Sequence, residues 1–209
     1  MRRVWLGLAC LASLALSRGA FAATSSLSAA EQSALLAGEV VARPLHFERD
    51  GEHYLGGVSY ALVRASPEAI LAALSNPEDL PYALPRTESA RLVAAEPGAA
   101  WIELVQGSRG VGARYTVKLE REPSGDELRL ALDRSRPHDV SDVFGYFRAR
   151  PFPDGRTVVT VAVALDLGSG LASLFFSDAV ERAILSSPAH IRSFVEPRAL
   201  ALVESRSPN

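Results

Sequence analysis

Four histidines and a few charged residues are the side chains in this sequence that could do chemistry, and their spacing limits what that chemistry can be. His46, His53, His138 and His190 include no pair set at metal-ligand spacing on one element, so no metal site is expected from them. His138 stands beside Asp139 in "SRPHDVSD", a loop next to a strand end, where an imidazole could serve as general base at a cavity mouth. The simpler reading of the same residues is an ordinary surface turn, with Asp139 or Asp142 capping backbone amides. His190 beside Arg192 reads as a solvated helix face. Arg148 and Arg150 could clamp an acidic headgroup, but they alternate with Phe147 and Ala149 as the outward row of a strand would. "GSRGVG" lacks the Lys-Ser/Thr ending of a phosphate-binding loop and reads as a strand-connecting turn. No residue is assigned a catalytic role, and no cofactor is expected.

The N-terminal segment removes further options. Arg2 and Arg3 precede an apolar run from Val4 to Leu16, followed by Ala20-Phe21-Ala22. This is the pattern of a secretory signal peptide over residues 1–22, cleaved after Ala22 or Ala23, with a core short for a membrane span. Cys10 is the only cysteine, so the mature chain would have neither disulfides nor thiol chemistry. Losing Arg2, Arg3 and Arg18 takes 22 basic residues to 19 against 24 acidic ones, a formal charge of −5. An acidic chain without a basic run is a poor match for nucleic acid or anionic lipid. The expectation is a periplasmic or secreted protein with no stable membrane insertion after cleavage.

The elements that would position any site follow from periodicity. Residues 23–52 read as a lead-in with a short helix, capped by Ser28 with Glu31 three residues on and stopped at Gly38, then a hairpin turning at Asp50-Gly51. "YLGGVSYALVRA" alternates as a strand with Val58, Tyr60 and Leu62 on one side. In the next segment Ser66 caps a helix, Pro67 takes its first position, and Ile70, Leu71 and Leu74 form its buried stripe before Asn76-Pro77 breaks it.

Strands dominate from there. Ile102 and Leu104 share one face of a strand, as do Tyr115, Val117 and Leu119 on the next and Leu128, Leu130 and Leu132 on a third. Phe147 and the row Val159, Val161, Val163 and Leu165 complete the inward set. Alternate residues such as Glu103, Thr116, Lys118, Glu120, Arg129, Asp133, Arg148 and Arg150 would face water, giving a one-sided antiparallel sheet. The tail to about Glu204 reads as a long helix striped by Phe176, Val180, Ile184, Ile191 and Val195, with a kink or break at Ser187-Pro188.

"VRASPEAILAALSNPEDLPYALP" resembles the first strand and helices of the START-like (SRPBCC) superfamily, and "RPHDVSDVFGYFRARPFPDGRTVVTVAVALDLG" is similar to the final hairpin of its coenzyme-Q-binding bacterial branch. The resemblance covers residues 53–204 by order of elements, leaving 205–209 as a tail. It implies an α+β helix-grip fold, a curved antiparallel sheet of about seven strands wrapped around the C-terminal helix. It further implies an apolar cavity for a hydrophobic small molecule or lipid (an isoprenoid quinone or a polyketide among the family's ligands). The expected lining is Ile102, Leu104, Tyr115, Val117, Leu119, Leu130, Phe147, Val159, Val161, Val163, Val180, Ile184 and Ile191, with His138 and Asp139 as polar contacts. Two other readings stay open: a cyclase- or hydratase-type enzyme using the same cavity, and a protein-interaction module whose inward rows are simply a filled core. Trp101 and Tyr82 either flank the mouth or pack in the core.

Overall fold

The computed structural model describes residues 26–108, 111–168 and 171–204. The N-terminal segment expected to be a signal peptide, with Cys10, the tail 205–209 and the Phe176 side chain lie outside the described residues. The order of elements is α1 (Ala29–Leu36), β1 (Val41–Pro44), β2 (Phe47–Arg49), β3 (Glu52–Val63), α2 (Pro67–Ser75) and α3 (Leu80–Ala83). There follow β4 (Thr87–Glu96), β5 (Ala99–Ser108), β6 (Val111–Arg121), β7 (Glu127–Leu132), β8 (Asp142–Pro151), β9 (Thr157–Asp166) and α4 (Leu171–Glu204).

The helix signals act locally and hold. Ser28 Oγ accepts from Glu31 N, and Glu31 Oε2 accepts from Ser28 N at 2.8 Å, which closes the capping box of α1. Ser66 Oγ accepts from Ala69 N at 3.2 Å at the start of α2, with Pro67 where no amide hydrogen is needed. Ile70, Leu71 and Leu74 are buried.

The strands form one antiparallel sheet in the order β1-β3-β9-β8-β7-β6-β5-β4, with β2 pairing only with β3. From β4 to β9 each strand pairs with the next, and β3, which precedes the two short helices, returns beside β9. Nine strands stand where about seven were expected, because β1 and β2 add two short ones. Gly56 and Gly57 lie where β3 passes from pairing with β2 to pairing with β1. Their φ values of 137° and 143° belong to a region that L side chains avoid. A Cβ on Gly56 would stand 2.1 Å from the Val163 carbonyl oxygen, and one on Gly57 2.2 Å from that of Arg43. Only glycine lets neighbouring backbones approach this closely.

The inward rows are as alternation dictates. Ile102, Leu104, Tyr115, Val117 and Leu119 share one apolar cluster with Leu128, Leu130, Leu132, Phe147, Val159, Val161 and Leu165. Ile191, Phe194 and Val195 of α4 and the stripe of α2 belong to it too. The α+β architecture, a curved open sheet holding a long C-terminal helix, is therefore present.

Three details differ from the sequence reading. The sheet is not one-sided along β3, β8 and β9: Val58, Tyr60, Leu62, Phe144, Ala162 and Ala164 form a second cluster on the opposite face with Leu35 and Val41. The lead-in covers that face. Leu35 of α1 is fully buried there, and Arg43 of β1 lies over the Tyr60 ring while holding Glu31 through two hydrogen bonds of 2.7 and 2.6 Å. Thr116, expected in water, is 2% exposed. Finally, of the kink or break expected at Ser187-Pro188, the break does not occur: α4 runs as one helix through Pro188 and Pro197. Near the missing amide of Pro188, Ser186 and Ser187 both turn their hydroxyls onto the Ala183 carbonyl.

Candidate functional site, a cavity between sheet and helix

The space between the concave sheet face and the first half of α4 is hollow. It measures about 260 Å³, whereas one water needs only roughly 10–15 Å³. Close-packed interiors seldom leave more than a water-sized void. Leu104, Tyr115, Val117 and Leu119 form the wall on β5 and β6. Leu130, Phe147, Val161, Val163 and Leu165 form it on β7 to β9, and Val180, Ala183 and Ile184 of α4 form the side facing the sheet.

Ten of the thirteen residues expected at the lining stand in this wall; Ile102, Val159 and Ile191 do not. Those three are fully buried in the packed part of the core. The division follows the helix. From Ile191 onward α4 packs with α2 and α3, while nearer its start it stands off from the sheet.

Two polar side chains of the wall, Tyr115 and Gln106, are bonded to each other and backed by Thr87, which does not itself line the cavity. Ser187 of α4 is a further polar lining residue. Tyr115 Oη donates to Gln106 Oε1, and Gln106 Nε2 donates to Thr87 Oγ1 at 2.8 Å. Thr87 and Gln106 are register partners at the start of β4 and the end of β5. Burial pushes the Tyr115 hydroxyl well above the usual phenol range, so it stays a neutral donor. Arg86, the residue before Thr87, also lines the cavity, and its carbonyl accepts from Gly107 N at 2.8 Å. Its φ of +58° is one of only two positive values among the described non-glycine residues, the other being Asp50 in a turn. Sequence reading missed both Gln106 and Arg86. A polar residue two positions from Leu104 on the same strand face was the available signal.

His138 and Asp139 part company. Asp139 lines the cavity, and its carboxylate accepts from Arg114 N at 2.8 Å. His138 is outside the wall, with Nδ1 2.7 Å from the Val140 carbonyl oxygen. Of the other histidines, His46 contacts Glu181, His53 Nδ1 is 3.1 Å from Glu48, and His190 Nδ1 is 3.1 Å from the Ser186 carbonyl. No group of three or more potential metal ligands occurs among the described residues. Arg148 and Arg150 sit on the outer face, paired with Glu127 and Asp126 of the β7 region. Trp101 lies under the Lys118 ammonium, 5.1 Å from the ring centre, and Tyr82 stacks on Phe194 at 6.0 Å. Neither lines the cavity. At the end of β9, Asp166 accepts from His53 N at 2.9 Å and Gly168 N at 2.6 Å. A further hydrogen bond with Asp166 raises the Glu52 carboxyl above its usual range.

No helix among the described residues is long and apolar enough to cross a membrane. No family model matches the sequence, and no curated protein matches it. Solved structures do share the architecture. A protein from Thermus thermophilus is similar with a TM-score of 0.58 at 19% identity, over 69% of this chain and 97% of that one. An aromatase/cyclase from a Streptomyces species is similar with a TM-score of 0.56 at 13% identity, over 78% and 96% of the two chains. A STAR-related lipid transfer protein from Xanthomonas axonopodis is similar with a TM-score of 0.54 at 11% identity, over 76% and 98%. With its sheet curved around a cavity and closed by the C-terminal helix, the chain has the START-like helix-grip fold.

Proposed function

We propose that the protein binds a hydrophobic small molecule non-covalently in this cavity, as a carrier or receptor. The observation that carries the reading is the hollow itself, about 260 Å³ walled by aliphatic and aromatic side chains with a few hydrogen-bonding groups, Tyr115 and Gln106 among them. Apolar burial would supply the affinity, at about 25 cal/mol per Å² before the costs of association, and the polar groups would orient the ligand. The fold shared with a lipid transfer protein and an aromatase/cyclase supports the same reading. Export is part of the proposal, supported by Arg2-Arg3, the apolar run to Leu16 and Ala20-Phe21-Ala22.

Mass spectrometry of an organic extract from the purified protein tests the binding, together with titration of the stripped protein with a neutral apolar dye. A co-purifying amphiphile or one saturable dye site is expected. Stripped protein that takes up no apolar probe would overturn the reading in favour of an interaction module. Turnover of a bound compound that is lost on Asp139→Asn would favour the enzymatic alternative. For export, a mature N-terminus at Ala23 or Thr24 is expected, and recovery of secreted protein still beginning at Met1 would reject it.

A further inference from the structure

Four observations concern the polar residues of the cavity wall. Tyr115, Gln106 and Thr87 form a hydrogen-bonded string there. As bonded, this leaves the second amide hydrogen of Gln106, a lining residue, available as a donor. Arg86, a solvent-exposed residue that also lines the cavity, adds a permanent positive charge beside this string, and its backbone carbonyl accepts from Gly107 N next to Gln106. Among the described residues no carboxylate pairs with Arg86, whereas Arg43, Arg129, Arg148, Arg150 and Arg156 each have one. The wall's one acid, Asp139, belongs to the β7–β8 loop and is engaged by the Arg114 amide. Finally, Arg86 holds a left-handed backbone conformation at φ +58°, which costs a non-glycine residue energy and persists where the surroundings or the function require it.

We propose that the ligand is a single-chain amphiphile with a carboxylate headgroup, bound with the carboxylate at Arg86 and Gln106 and its apolar chain running along Leu119, Leu130 and Val161. The assignment rests on the binding function proposed above and narrows it to a ligand class. A guanidinium at the rim of an apolar space suits a planar, delocalised anion that can take two parallel N–H bonds, and Gln106 offers a third donor. A neutral alcohol of the same chain length would fill the same wall and forfeit the charged contact.

Displacement of a neutral dye from the stripped full-length protein by dodecanoate and by 1-dodecanol, near pH 8, separates the two claims. Dodecanoate is expected to bind roughly tenfold or more tightly than the alcohol, the size of one charge-assisted hydrogen bond. In Arg86→Gln that preference should vanish while one saturable dye site is retained, which also shows that the variant is folded. Equal binding of acid and alcohol by the natural protein would overturn the headgroup assignment and leave the cavity reading standing. A preference that survives in Arg86→Gln would overturn the role of Arg86. Failure of dye, acid and alcohol alike to bind would overturn both proposals.

Discussion

Tyr54 on β3 donates its hydroxyl hydrogen to Asp142 Oδ2 on β8 at 2.7 Å, a bond that reaches across β9, the strand lying between them. Both residues are buried, and Arg49 adds a guanidinium 5.1 Å from the Tyr54 ring centre and 3.7 Å from Asp142 Oδ2. The β2–β3 hairpin is thereby tied to the strand that carries Phe147 into the cavity wall.

Removing that hydroxyl should be costly. Tyr54→Phe keeps the ring stacked on Phe47 and strips a donor from a buried carboxylate, so a loss of about 1.5–3 kcal/mol is expected in denaturant melts. Burial first, and then the bond to Asp142, push the Tyr54 hydroxyl up to about 12. A group whose folded pKa is raised contributes its stability below the unfolded value, near 10 for tyrosine, and loses it as pH climbs through the folded one. Stability should therefore fall between about pH 10 and pH 12, and Tyr54→Phe should flatten part of that decline. An unchanged midpoint would show that the bond contributes nothing.

The opposite sign holds at the lead-in. Glu31 is lowered to about 2, chiefly by its hydrogen bonds to Arg43 and then by the Ser28 amide. A depressed carboxyl contributes above its unfolded value and is lost as pH falls through the folded one, here from about 4.5 down to about 2. Melting temperatures measured across that window should decline less steeply for Glu31→Gln than for the natural protein. The slope should also diminish in salt, since the side chains are partly exposed. Identical slopes would place the acid sensitivity elsewhere.

Gly145 faces β9 at very close range. A Cβ there would stand 2.0 Å from the Ala162 carbonyl oxygen and 2.9 Å from the Val163 Cα, both backbone atoms that cannot swing aside. Gly145→Ala should separate β8 from β9 along the cavity wall and cost about 4 kcal/mol or more, an exceptional loss for one methyl group. Circular dichroism and thermal melts check this; a variant within about 1 kcal/mol of the natural protein would mean that the two strands part easily.

Val161 probes the hollow directly. It is 1% exposed to bulk solvent and faces the cavity. In Val161→Phe the added ring should enter open space, leaving stability nearly unchanged while apolar dye binding is lost. The packed residue Val159, on the same face two positions earlier, supplies the contrast. Val159→Phe should carry the usual overpacking cost of about 1–3 kcal/mol. Equal losses at both positions would indicate that the cavity collapses in solution.

The elements and the identity of the inward residues were legible in the sequence, because they depend on interactions a few residues long. Ser28 with Glu31, Ser66 with Pro67, and the alternation through Val159, Val161, Val163 and Leu165 each specify a local geometry and a buried face. Which buried residues touch one another, and which face a void, was decided only in three dimensions. Ile102 and Leu104 are chemically alike and two residues apart on one strand face, yet only Leu104 lines the cavity. Ile184 and Ile191 are two turns apart on one helix stripe, yet only Ile184 does. The difference lies in what the rest of the chain places opposite each residue: Ile191 shares its packed surroundings with α2 and α3, more than a hundred positions earlier in the chain. The same holds for the outer face of β3, where Val58 and Tyr60 read as half of an ordinary alternation until α1 folds over them. Periodicity reports that a side chain leaves water; what it meets afterwards depends on parts of the chain that periodicity does not reach.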